Sequence, residues 1–98
     1  MNIDILSRGE WLRRIDDFLE SYITMYEPFE RYYMVGEGPC ARMRWAAKEI
    51  HREIALDRQR KPIYIVIDFR DRMKAYSRKH EHFTYAYRIA AACVENFT

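Results

Sequence analysis

The residues most able to do chemistry are few. His80-Glu81-His82 places two imidazoles on either side of a carboxylate. In extended backbone alternate side chains share a side, so the two rings could share an ion. A zinc site of ordinary design wants further ligands at set spacings, as in Cys-x-x-Cys or His-Glu-x-x-His. The chain has neither, and nothing in its sequence brings the third histidine, His51, close. The plain reading is a polar turn, so no metal and no cofactor are expected. Lys48-Glu49-Ile50-His51-Arg52-Glu53 mixes acids and bases. On a helix Glu49 and Glu53 share a face at i, i+4 while His51 points elsewhere, as on any solvated helix surface.

The two cysteines, Cys40 and Cys93, are too few for a disulfide framework, and both fall on apolar helical stripes. There a thiol behaves as a small hydrophobe, in keeping with a reducing, cytoplasmic setting. Cys40 also follows Gly36-Glu37-Gly38-Pro39 at an expected helix start, where the positive end of the helix dipole could lower its pKa. Those two glycines lack the Gly-Lys-Ser/Thr ending of a phosphate loop and the third glycine of a dinucleotide loop. No constellation requires an enzyme, and none is expected.

Charge is unevenly spread. The first 30 residues hold seven acids and three bases, a net of −4. Residues 58–80 hold Arg58, Arg60, Lys61, Arg70, Arg72, Lys74, Arg78 and Lys79 against Asp68 and Asp71, a net of +6. Such a gradient suits helix pairing within the chain, head-to-tail association, or a basic face that contacts nucleic-acid phosphates with Tyr76 among its cations. The fifteen aromatic side chains exceed what one small core usually hides. Trp45 and Leu56 fall off the core stripe of their helix, and Tyr32, Tyr33, Tyr64 and Tyr85 have no obvious core position. Aromatic residues, Met and Arg are enriched at protein interfaces. Trp45, Leu56, Tyr32 and Tyr33 are therefore the candidate partner interface. The eight cations of 58–80 are the alternative, nucleic-acid contacts.

The elements that carry these residues are helical. Ser7-Arg8-Gly9-Glu10 reads as a capping box. Trp11, Leu12, Ile15, Phe18, Leu19, Tyr22, Ile23 and Tyr26 then recur with the helical period. Pro28 should end or kink that helix, with Phe29–Met34 as an optional short one. Gly36-Glu37-Gly38-Pro39 marks a turn, and a helix from Pro39 to Arg58 buries Cys40, Met43, Ala47, Ile50 and Ile54. Ile63-Tyr64-Ile65-Val66-Ile67 has the composition of a short strand. Yet Ile65, Val66, Phe69, Met73 and Tyr76 share a helical face behind Pro62, which favours a helix. A last helix over Glu81 to Phe97 stacks Phe83, Tyr87, Ala90, Val94 and Phe97. The expected fold is all-α: one domain, residues 1–98, a compact bundle of four helices. A variant with one strand at 63–67 is the alternative.

The longest apolar run is far too short to span a bilayer, and the start Met-Asn-Ile-Asp lacks a basic leader region. No membrane association or secretory leader is expected. The segment from Pro62 to Ser77, a Pro-led apolar turn before Phe69, Met73 and Tyr76, with a second helix after it, resembles small uncharacterised helical proteins of bacterial mobile elements. That resemblance implies a helix at Pro62 and an accessory, intracellular role in bacteria. The function expected is a small non-catalytic protein-interaction module, self-associating or binding another protein.

Overall fold

The computed structural model describes residues 6–33 and 38–95, the side chain of Tyr33 excepted. Four helices form: α1 (Arg8–Tyr33), α2 (Pro39–Leu56), α3 (Pro62–Ser77) and α4 (Phe83–Glu95). The capping box at the start of α1 is reciprocal. The Glu10 amide donates to Ser7 Oγ at 3.1 Å, and the Ser7 amide donates to Glu10 Oε1 at 3.3 Å. Two of the amides that a helix start leaves without partners are thereby satisfied.

Pro28 neither ends α1 nor leaves Phe29–Met34 as a separate helix. A single helix of 26 residues runs through it to Tyr33, and Met34 lies outside the described residues. A proline inside a helix removes one hydrogen bond and crowds the preceding turn. Here the segment around it is tied to α2. Glu27 pairs with Arg44, and Glu30 Oε1 accepts the Cys40 amide at 2.7 Å. These long-range ties override the local preference. At 1.5 Å per residue α1 is about 39 Å long, close to the 42 Å long axis of the molecule.

The segment 63–67 is the first turn and a half of α3, with Pro62 near its N-terminus. Pro62, Ile65, Val66, Phe69 and Met73 are buried at helical spacing, so Ile65 and Phe69 share a face as i, i+4 neighbours. No strand occurs among the described residues. Helix α2 stops at Leu56, two residues short of Arg58. Helix α4 begins at Phe83 rather than Glu81, and Phe97 lies outside the described residues.

Trp11, Ile15, Met43, Ile50, Ile54, Val66 and Ile89 are essentially inaccessible and form the centre of the core. Phe18, Leu19, Tyr22, Phe83 and Tyr87, expected inside, are half-buried and pack against it. Helix α4 contributes Ala86, Ile89, Ala90, Cys93 and Val94, and its alanines let α3 approach closely.

Helices α1 and α2 run antiparallel. The pairs Asp16 with His51, Glu27 with Arg44 and Glu30 with Cys40 fix their register. The Arg8 guanidinium donates to the carbonyls of Ile54 and Arg60 at the end where α2 stops. Helix α4 is also antiparallel to α1, with Tyr22 in electrostatic reach of Tyr85 and Arg88, and Arg14 in reach of Cys93. Helix α4 starts near the level of Tyr22, so the last turns of α1 extend beyond it.

Candidate functional site

The basic segment 58–80 is not one surface. Arg60 pairs with Asp68, Arg70 with Asp71 and Arg72 with Glu53 of α2. Arg58 and Lys61 lie in the α2–α3 connection. Lys74, Arg78 and Lys79 lie at the far end of α3, about 20 Å away along a helix of this length. The acids of α1 pair with α2 instead: Glu27 with Arg44, and Asp16 Oδ1 with His51 Nε2 at 2.7 Å. Thus the acidic and basic ends of the sequence are joined chiefly through the helix between them.

Of the four candidate interface residues, Trp45, Leu56 and Tyr32 lie apart from one another. Trp45 is half-buried and packs against the core, its ring edge-on to His82 at 5.0 Å and to Phe83 at 5.9 Å. Leu56 is 72% exposed at the C-terminal end of α2. Tyr32 is exposed at the end of α1, next to the opposite, N-terminal end of α2. The side chain of Tyr33 is outside the described residues.

Neither thiol is poised to react. Glu30 occupies the N-terminus of α2, its carboxylate taking the Cys40 amide. The same carboxylate accepts from the Cys40 thiol. Burial first, and then this carboxylate, push the thiol up to about 11. The expected lowering by the helix dipole is overturned, because the site that would have stabilised a thiolate already holds an anion. Burial alone pushes Cys93 up to about 12. His51 and Asp16 line a groove of about 410 Å³ with Leu19, Arg44, Ala47 and Lys48, none of which offers a hydroxyl or thiol nucleophile. Among the described residues no three metal-ligating side chains come together. The His80 and His82 rings lean on Phe83 instead, at 6.1 and 4.1 Å.

Two surfaces stand out. The first is the overhang of α1. Its apolar stripe starts fully covered at Trp11 and Ile15, becomes half-covered at Phe18 and Tyr22, and continues past the start of α4. There Tyr26 is 44%, Met25 61%, Phe29 63% and Tyr32 88% exposed. Tyr22 and Tyr26 stack at 4.6 Å along it. The neighbouring acids Glu27 and Glu30 are turned toward α2, so the exposed stripe itself is uncharged.

The second surface follows the α2–α4 seam into the α3–α4 turn. The guanidinium carbons of Arg42 and Arg88 lie 5.6 and 5.9 Å from the Tyr85 ring centre. Beside them come Trp45 of α2 and, at the start of α4 and in the turn before it, Phe83 and His82. Tyr76 meets Phe83 edge-on at 5.4 Å, and His80 lies against both His82 and Phe83. Lys74, Arg78 and Lys79 border this end. Sequence reasoning missed Arg42 and Arg88 because no run of like charge marks them. It missed Met25 and Phe29 because their exposure depends on where α4 begins. Among the described residues no helix is long and apolar enough to cross a membrane. No family model, curated protein or solved structure matches the chain.

Proposed function

We propose that the protein is a small non-catalytic interaction module that associates with a second copy of itself through the overhang of α1. The observation that carries this reading is the uncovered continuation of the core stripe over Met25, Tyr26, Phe29 and Tyr32. A stripe that is fully buried at Trp11 and Ile15, half-covered for the next two turns and then runs on past its partner helix is apolar surface in need of a cover. At roughly 200 Å² for a large side chain, the exposed fractions amount to about 500 Å² per copy, the size of a functional patch on a small protein. Two copies would bury about 1,000 Å², the lower bound for a specific interface, so the dimer is weak and concentration-dependent. Because the stripe is uncharged, a two-fold arrangement opposes no like charges. The raised thiols, and a groove beside His51 that is lined by no hydroxyl or thiol, agree with a non-catalytic role. Two free buried cysteines suit a cytoplasmic setting, and the resemblance of Pro62–Ser77 suits an accessory role in bacteria.

Sedimentation equilibrium across a wide concentration range tests this. The native chain should pass from monomer to dimer, with a dissociation constant in the micromolar range or weaker. Phe29→Ser with Tyr32→Ser should remain monomeric and fully helical, while Leu56→Ser should behave as the native chain. A native chain that stays monomeric at the highest concentration, or a dimer indifferent to Phe29 and Tyr32, would remove the overhang from the account. Retention of a different protein by Phe29 and Tyr32 in place of dimerisation would transfer the same surface to a foreign partner.

A further inference from the structure

Arg31, Arg44, Arg60, Arg70 and Arg72 are engaged in ion pairs. Arg42, Lys74, Arg78, Lys79 and Arg88 make no ion pair among the described residues. Arg42 and Arg88 meet at Tyr85 on the α2–α4 seam, and Lys74, Arg78 and Lys79 sit at the C-terminal end of α3 beside the α3–α4 turn; Arg13, Lys48, Arg52, Arg58 and Lys61, which also make no ion pair among the described residues, lie on α1, on α2 and in the α2–α3 connection. Arg42 and Arg88 share one partner, the face of Tyr85, although two guanidiniums drawn to one ring repel each other. An anion between or beside them would relieve that repulsion, and a guanidinium matches a phosphate through paired N–H donors.

The rest of this surface is aromatic. His82 and Phe83 stack at 4.1 Å and join to Trp45, His80 and Tyr76. Tyr76, His80 and His82 are exposed. Rings buried on one side and open on the other offer flat surfaces on which a base can stack. Cations alternating with open rings are the arrangement by which proteins hold a single strand: the cations follow the backbone and the rings take the bases. An acidic peptide would use the cations and leave the rings idle.

We infer that the strip Arg88–Tyr85–Arg42–His82–Tyr76, bordered by Lys74, Arg78 and Lys79, is a binding site for single-stranded nucleic acid, with phosphates at the arginines and lysines and bases on the exposed rings. This site is independent of the α1 overhang. It differs from the run of basic residues that dominates the sequence, because Arg58 and Lys61 at the other end of α3 lie outside it.

Fluorescence anisotropy with a labelled single-stranded oligothymidylate, repeated over a range of salt, provides the test. With at most five phosphates neutralised, log affinity should fall against log salt with a slope no steeper than about −3.5. Arg42→Gln with Arg88→Gln should make that slope shallower by about 1.4. Tyr76→Ala should weaken binding by roughly fivefold or more at every salt concentration. Arg58→Gln with Lys61→Gln, both in an exposed loop, should leave the slope unchanged. Circular dichroism on each variant separates loss of binding from loss of fold. No binding at low salt overturns the proposal. So does a slope that responds to Arg58 and Lys61 but not to Arg42 and Arg88. Polyglutamate of equal charge binding as tightly as the oligonucleotide would also overturn it, because the rings would then contribute nothing.

Discussion

Glu30 is the residue on which local electrostatics and tertiary packing meet, and Glu30→Ala should show it twice. The N-cap of α2 is Gly38, which has no side chain with which to cap, so the first turn depends on a carboxylate from another helix. Losing a helix cap costs about 0.5–2 kcal/mol. A hydrogen bond to a charged acceptor is worth about 1.5–3 kcal/mol. These describe the same interaction, so the expected cost is about 2 kcal/mol, a sizeable part of the stability of a domain this small. At about 4–8 °C per kcal/mol, the Tm should fall by roughly 8–16 °C in a calorimetric scan. The same change removes the anion beside the Cys40 thiol. In a Cys93→Ser background, ultraviolet titration should show the Cys40 pKa falling from about 11. It should stay above the ordinary thiol value of about 8.5, because burial remains. In the native chain this thiol is raised, so its contribution to stability is complete below about pH 8.5 and is lost as pH rises toward its folded value. A Tm lowered by less than about 2 °C, together with an unmoved Cys40 titration, would refute the cross-helix cap.

Two further outcomes follow from the same junction. A Cβ on Gly38 would stand 3.0 Å from Glu30 Cδ and 3.1 Å from each carboxylate oxygen, so Gly38→Ala should displace the cap and cost about 1 kcal/mol. In a Glu30→Ala background that cost should largely vanish, and a double-mutant cycle by denaturant unfolding reads the coupling directly. The hydrogen bond from Arg44, aided by the nearby Arg31 charge, holds the Glu27 carboxyl below the usual range. Its contribution is therefore present above the ordinary glutamate value of about 4.3 and lost as pH falls through the lowered one. Glu27→Gln should lower the Tm at neutral pH and flatten the acid side of a Tm-against-pH curve, so that the variant and native curves converge below the lowered Glu27 value.

The amphipathic periods of the four helices were legible because each helix must hide one face, and residue spacing records which face it is. Ser7 and Glu10, the Pro62 start of α3, and the buried positions of Met43, Ile50, Ile54, Val66, Phe69 and Met73 could be read from residue type and spacing alone. Pro28 could not. Its local effect is unfavourable, and only the hold of Glu27 and Glu30 on α2 decides that the helix continues. Which of the interface and basic candidates stay open was not legible for a related reason: sequence shows which residues are apolar or charged, but not which have found partners. Trp45 is taken up by His82 and Phe83, while Arg60, Arg70 and Arg72 are taken up by nearby acids. Arg42 and Arg88, fully separate in the sequence, converge on Tyr85.

By itself, then, the sequence determined the helices and most of the core, because those depend on periodicities within single segments. Tertiary structure decided which surfaces remain open. It set the level at which α4 starts against α1, and so the exposure of Met25, Phe29 and Tyr32. It also placed a carboxylate against the Cys40 thiol and brought Arg42 and Arg88 to one ring without an acid between them. Each of these depends on distances between helices, which residue spacing within a helix does not encode.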